Sequence, residues 1–125
     1  SVIYFTAAGL FDILAENTFG KRQDKDSDVF EHIYDCDLLI IDDLGTELPN
    51  SFTVSQLFIC LNERILRQKS TIISTNLALE DIKSIYSERT FSRISSNYTI
   101  LRITGDDIRI QKKLLNLGGT NDVTP

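Results

Sequence analysis

Four consecutive apolar residues, Leu38-Leu39-Ile40-Ile41, run directly into two acids, Asp42-Asp43, and no other feature of the 125-residue chain narrows its fold so far. A run this short is not a helix, and it lacks the alternation of a half-solvated strand. It predicts a strand buried on both faces of a parallel sheet. The two acids then mark the point where that strand leaves the sheet. Val2-Ile3-Tyr4-Phe5 at the chain start and Thr71-Ile72-Ile73-Ser74-Thr75, which ends at Asn76, read the same way. Tyr98 to Ile103 is read as a further strand.

Between these runs the apolar spacing turns helical. From Ala7 to Phe19, Leu10, Phe11, Leu14 and Ala15 share one helical face. Gly20 to Asp26 is a charged loop, and a short amphipathic helix then carries Val29, Phe30, Ile33 and Tyr34. Thr53 to Gln68 is the clearest helix: Val54, Leu57, Phe58, Leu61 and Ile65 keep the three-four spacing. Thr53 and Gln56 are placed to form its capping box. Leu79–Tyr86 and Glu88–Ile94 are two short helices, and a last one runs from Asp106 to Leu117 before Gly118-Gly119. A tail over residues 118–125 is expected to fray. Strands alternating with helices define an α/β chain with a parallel sheet. Ligands of such sheets sit at the carboxyl ends of the strands, which directs attention to Asp42, Asp43 and Asn76.

Composition removes several alternatives. With 42% apolar and 25% charged residues the chain is an ordinary single globular domain. It has no apolar stretch of about 20 residues that could span a membrane. Nor does its start carry the basic and apolar regions of a signal peptide, so a cytoplasmic protein with no membrane partner is expected. Cys36, Cys60 and a single histidine do not make a zinc site; both cysteines read as buried, reduced thiols. A net charge of −5 excludes bulk electrostatic coating of nucleic acid but leaves a local basic strip open. Lys21 and Arg22 beside Phe19 have the chemistry for single-stranded DNA, backbone contact plus base stacking. Asp24, Asp26 and Asp28 follow at once and offset that charge.

An apolar strand ending in two acids is a Walker-B-like pattern, in which rigidity fixes the carboxylates at a sheet edge near a magnesium-bound phosphate. The whole segment from Leu38 to Glu47, Leu-Leu-Ile-Ile-Asp-Asp-Leu-Gly-Thr-Glu, resembles that of the DnaC/DnaI-type helicase loaders and their IstB-like relatives. Ile72 to Asn76 resembles the sensor 1 strand of AAA+ ATPases. Tyr86-Ser87-Glu88-Arg89 through Ser92-Arg93-Ile94 resembles their box VII segment, and Asp107-Ile108-Arg109 the sensor 2 position. The resemblance runs from Val2 to about Lys113 and implies a role for each residue. Asp42 holds Mg²⁺ and helps bind ATP. Asp43 orients or activates the attacking water, and Asn76 positions it. Arg93, or Arg89 four residues earlier, reaches into a neighbouring subunit's site, and Arg109 senses the nucleotide. Asp43 departs from the family's usual glutamate, and its shorter arm calls for a relayed water.

The glycine-rich Gly-x-x-x-x-Gly-Lys-Ser/Thr loop of such enzymes is absent from the sequence. The fold implied is therefore a three-layer parallel sheet of the P-loop NTPase (AAA+) type without its first, central strand. Strands two to five of that fold fall at Val2–Phe5, Leu38–Asp42, Thr71–Thr75 and Tyr98–Ile103. Residues 1–117 form a partial ATPase core, and the chain by itself is expected to hold no nucleotide. The function implied is that of an ATP-dependent replication protein, a primosome component, that loads a replicative helicase onto DNA. Its partners would be the helicase, single-stranded DNA and further copies of itself through the arginine-finger face. Two alternatives stand beside it: an IstB-like transposition helper ATPase, and a non-catalytic interaction module.

Overall fold

The computed structural model describes residues 1–19 and 24–103. Strands β1 (Val2–Thr6), β2 (Leu38–Leu44) and β3 (Ser70–Thr75) form one parallel sheet in the order β1-β2-β3. The accompanying helices are α1 (Ala7–Phe19), α2 (Asp24–Asp35), α3 (Ser51–Leu66), α4 (Leu79–Tyr86) and α5 (Glu88–Asn97). Parallel neighbours need a crossover: α1 and α2 carry the chain from β1 to β2, and α3 carries it from β2 to β3. The α/β parallel architecture expected from the sequence is the one observed.

Register decides which side chains meet the helices. Ile3, Leu39 and Thr71 lie abreast, as do Phe5, Ile41 and Ile73. These rows face α1 and α3, where Leu39 and Ile41 join Leu10, Leu14, Leu57 and Leu61 in one core. The alternate residues point the other way, and Val2, Tyr4 and Ile72 are exposed there. Burial of the strands on both faces, as expected above, is therefore met on one face only. Among the described residues the helices stand on a single side of the sheet.

Tyr98–Ile103, expected as a strand, is not one. From α5 to Ile103 the backbone is irregular, and the outer edge of β3 has no partner among the described residues. Alternating side chains cannot make a strand without a neighbour to complete the backbone hydrogen bonds. Tyr98 instead folds onto the core, its N–H ending α5 on the Ile94 carbonyl at 3.0 Å. Ile100, Leu101 and Ile103 are left exposed. The cap of α3 is also corrected. Asn50, extended at φ −135° and ψ 176°, accepts from the Thr53 N–H at 2.8 Å. Thr53 is thus inside the helix, because the Asn50 side chain three residues earlier already meets that amide. Helix α2 begins at Asp24, within the stretch read as a loop.

One core position is a cation. Arg64 is fully buried, and its guanidinium donates to the Ile33 carbonyl at 2.7 Å, the Ser70 carbonyl at 2.6 Å and Thr71 Oγ1 at 2.9 Å. Both cysteines are free and buried, as expected. No helix among the described residues is long and apolar enough to cross a membrane. The expected helix Asp106–Leu117, the tail over 118–125, and Lys21, Arg22 and Arg109 lie outside the described residues.

Candidate functional site

The carboxyl end of β2 gathers polar side chains from all three strands. Asp42 is partly exposed, on the face away from the helices, between Tyr4 of β1 and Ser74 of β3. The Tyr4 hydroxyl donates to Asp42 Oδ2 at 2.5 Å, and the Ser74 hydroxyl donates to Asp42 Oδ1. Those two hydrogen bonds, that from Ser74 first, hold the Asp42 carboxyl below the ordinary carboxylate range. The same carboxylate raises the Tyr4 phenol above its ordinary value, chiefly through their hydrogen bond. Asp42 is thus a fixed anion at neutral pH.

Asp43 interrupts the regular pairing of β2 by a change of backbone hand. Its φ of 64° is a left-handed conformation at the register shift between Ile41 and Leu44, after which Leu44 pairs with Thr75. The Asp43 N–H donates to Ser74 Oγ at 2.9 Å, so one serine ties down both acids. The Asp43 side chain is exposed. The turn beyond is equally fixed. Gly45 has φ +105°, and a Cβ there would lie 2.6 Å from Leu77 Cδ1, so both conformation and space require glycine. Thr75 Oγ1 donates to the Leu44 carbonyl at 2.6 Å, and Thr46 Oγ1 to the Asp43 carbonyl at 2.9 Å. Glu47 accepts from the Gly45 N–H at 3.0 Å and from the buried Tyr86 hydroxyl. Burial, and then the Glu47 hydrogen bond, push the Tyr86 phenol well above its ordinary value.

The strands bearing the acids and Asn76 lie side by side, but Asn76 is not the polar group that meets Asp42. It sits just past β3 and is exposed; Ser74, two residues earlier, makes the contact. On α5, Arg89 lies over the Phe58 ring with its guanidinium carbon 4.1 Å from the centroid. Arg93 is exposed, and no ion pair engages its side chain among the described residues. A cleft of about 470 Å³ between α1 and the start of α3 is lined by Phe11, Asp12, Glu47 and Phe52, among others, but by neither acid of the pair. Sequence reasoning therefore found Asp42 and Asp43 but missed Tyr4, Ser74 and the Glu47–Tyr86 contact. The partners are 31 to 39 residues apart in the chain. Only the parallel register of Tyr4 beside Ile40 and Ile72 would have brought the first two into view.

The donor set fits a hard cation: one ionised carboxylate with hydroxyl oxygens on either side. Among the described residues no cluster of three or more acids, histidines or cysteines forms a cage. A cation bound here would share its remaining positions with a ligand's oxygens.

The class these features define is an α/β domain with a parallel sheet whose polar side chains gather at the carboxyl edge of the strands. Three solved structures share the fold. The crystal structure of the DnaC helicase loader matches at a TM-score of 0.70 and 24% identity, over 81% of this chain and 60% of that one. The replication initiator DnaA bound to AMPPCP and single-stranded DNA matches at 0.69 and 19%, over 97% and 38%. AMPPCP-bound DnaA from Aquifex aeolicus matches at 0.64 and 20%, over the same shares. The chain thus spans about 60% of the DnaC structure and 38% of the DnaA structures. No curated protein sequence matches it. The model of the IstB-like ATP binding proteins matches residues 1–116, and the chain belongs to that family.

Proposed function

We propose that this chain is the acid-pair and sensor portion of an ATP-hydrolysing protein that places a replicative helicase on DNA. The observation that carries the reading is the Asp42 carboxylate, held ionised at the carboxyl edge of the sheet beside an exposed Asp43. Asp42 would hold the magnesium ion of Mg-ATP, which would supply charge neutralisation at the transferring phosphoryl group. Asp43 orients the attacking water through a relay, and Asn76, exposed beyond β3, steadies that water from the side. Arg93, exposed and without an ion pair among the described residues, serves a neighbouring subunit's site, while Arg89 is already engaged on Phe58. Arg109 reads the bound nucleotide, and Lys21 and Arg22 touch single-stranded DNA. Support for the helicase as partner is the likeness to the DnaC helicase loader. Membership of the IstB-like family favours a second reading, a transposition helper with the same chemistry.

The test uses the full-length gene product. Asp43→Asn keeps ATP binding but lowers turnover by about 100-fold or more, as expected for a group that acts on the attacking water. Turnover equal to wild type removes the reading. Affinity capture that brings down a replicative helicase supports the loader, and capture of a transposase supports the helper.

A further inference from the structure

Within two segments singled out by the sequence, Glu47 after the acid pair and Tyr86-Ser87 just before α5 have no part in the roles assigned so far. The fold joins them. Tyr86 is fully buried at the last position of α4, and its hydroxyl donates to one oxygen of Glu47. The other oxygen of Glu47 accepts the Gly45 N–H, so a single carboxylate bridges the acid-bearing turn and the α4 terminus. The next residue, Ser87, ends α4 and caps α5 at once. It does so at φ 106°, a conformation that side chains other than glycine rarely take. Its hydroxyl accepts from the Thr90 N–H at 3.4 Å and donates to Thr90 Oγ1 at 3.2 Å. A strained elbow holds one angle only when its surroundings fix both arms. Here α4 is fixed through Tyr86, and α5 is fixed through buried Thr90 and Ile94.

We infer that Glu47 and Tyr86 are positioning residues that set the direction of α5, and with it Arg93, from the turn that carries Asp42 and Asp43. This deepens the proposed ATPase function and rests on it. Glu47 answers to the acid turn through the Gly45 amide, so a shift of that turn reaches the elbow through one hydrogen bond. A side chain at Gly45 would collide with Leu77, the residue just before the N-cap of α4, so the acid turn is packed directly against the approach to that helix. The reach of Arg93 toward another subunit is therefore coupled to the state of the acid pair.

The experiment measures ATP turnover, KM for ATP and thermal unfolding of the full-length gene product. Tyr86→Phe removes one oxygen and keeps the ring in the core. It is expected to lower kcat about tenfold while KM stays within about twofold, the pattern of an interaction that acts on the transition state alone. Added to Arg93→Ala, it costs no further activity, because the two act through the same guanidinium. Glu47→Gln, which keeps an acceptor oxygen, is milder than Glu47→Ala; this pair carries the test if Tyr86→Phe does not fold. Wild-type kcat in Tyr86→Phe overturns the inference, as does an undiminished further loss in the Arg93→Ala background. Asp43→Asn in the same assay separates the two ideas. If it turns over ATP normally, the ATPase reading fails. If it stalls while Tyr86→Phe does not, the positioning role alone fails.

Discussion

Arg64 illustrates how far a single residue can act without touching the candidate site. A buried guanidinium is costly unless its donors are met, and here no carboxylate is among the acceptors: they are two backbone carbonyls, a hydroxyl and, at 3.3 Å, the Cys36 sulfur. One of them, the Ile33 carbonyl, lies in the last turn of α2, where helical carbonyls have no partner of their own and the dipole favours a cation. Another, the Ser70 carbonyl, opens β3. Arg64 thus pins the end of α2 and the start of β3 to α3, and the planar fork is what allows it to reach all of them. Arg64→Lys keeps the charge and loses the fork, and chemical denaturation should show a loss of about 2 kcal/mol. Arg64→Ala leaves a cavity and several unmet acceptors, and should cost about 3–5 kcal/mol. Equal stability of Arg64→Lys and wild type would rule out the fork as the reason. Nothing in the sequence marks this arginine, because its partners are brought to it by two other elements, the end of α2 and the start of β3. The same holds for Tyr4 and Ser74 around Asp42. The acid pair, by contrast, was legible because an apolar strand and its exit residues are contiguous in the chain.

Elements were legible wherever one period ran long enough, and less so where a neighbour decides. Helix α4 has the expected bounds, and α3 is displaced by two residues at each end: Asn50, not Thr53, supplies the cap at its start, and Gln68, expected inside the helix, lies beyond its end at φ 57°. The segment after α5 has the composition of a strand and no strand beside it, a fact about pairing that no local pattern contains. Helix α3 also offers a direct probe of how the layers hold together. Leu57, Cys60, Leu61 and Arg64 form its buried face, and burial pushes the Cys60 thiol up to about 12. A pKa raised on folding means that the linked stability is complete below the ordinary thiol value of about 8.5. It is lost as pH rises toward the folded value. At about pH 8 the native thiol is therefore both neutral and shielded, and it reacts only in molecules whose α3 has lifted off the sheet. In a Cys36→Ser background, thiol labelling of Cys60 should be at least about 1,000-fold slower than in denaturant, with a rate that follows the unfolding equilibrium. Labelling at the denatured rate under native conditions contradicts the packing of α3 described here.

At the scale of the whole molecule, the acids and the arginines occupy separate places. Asp42 and Asp43 lie near the carboxyl end of the central strand, whereas α5 packs against α3 and α4. No ion pair or hydrogen bond joins the Arg93 side chain to either acid among the described residues. If the proposed ATPase function holds, a guanidinium displayed on one copy has to meet the acid pair of another, through a head-to-tail contact that uses two different surfaces. This makes a prediction that no single-chain mechanism shares. In the full-length gene product, Asp43→Asn and Arg93→Ala should each stall ATP turnover when pure. Mixed in equal amounts they should recover activity, because an Arg93→Ala subunit still owns an intact acid pair and an Asp43→Asn neighbour still owns an intact arginine. With random assembly about one ordered contact in four is of that productive kind, so roughly a quarter of the wild-type rate should return. The double variant carrying both changes in one chain, mixed with an equal amount of itself, gives the background. A mixture no faster than its parents would place Arg93 in its own subunit's chemistry or outside the reaction altogether.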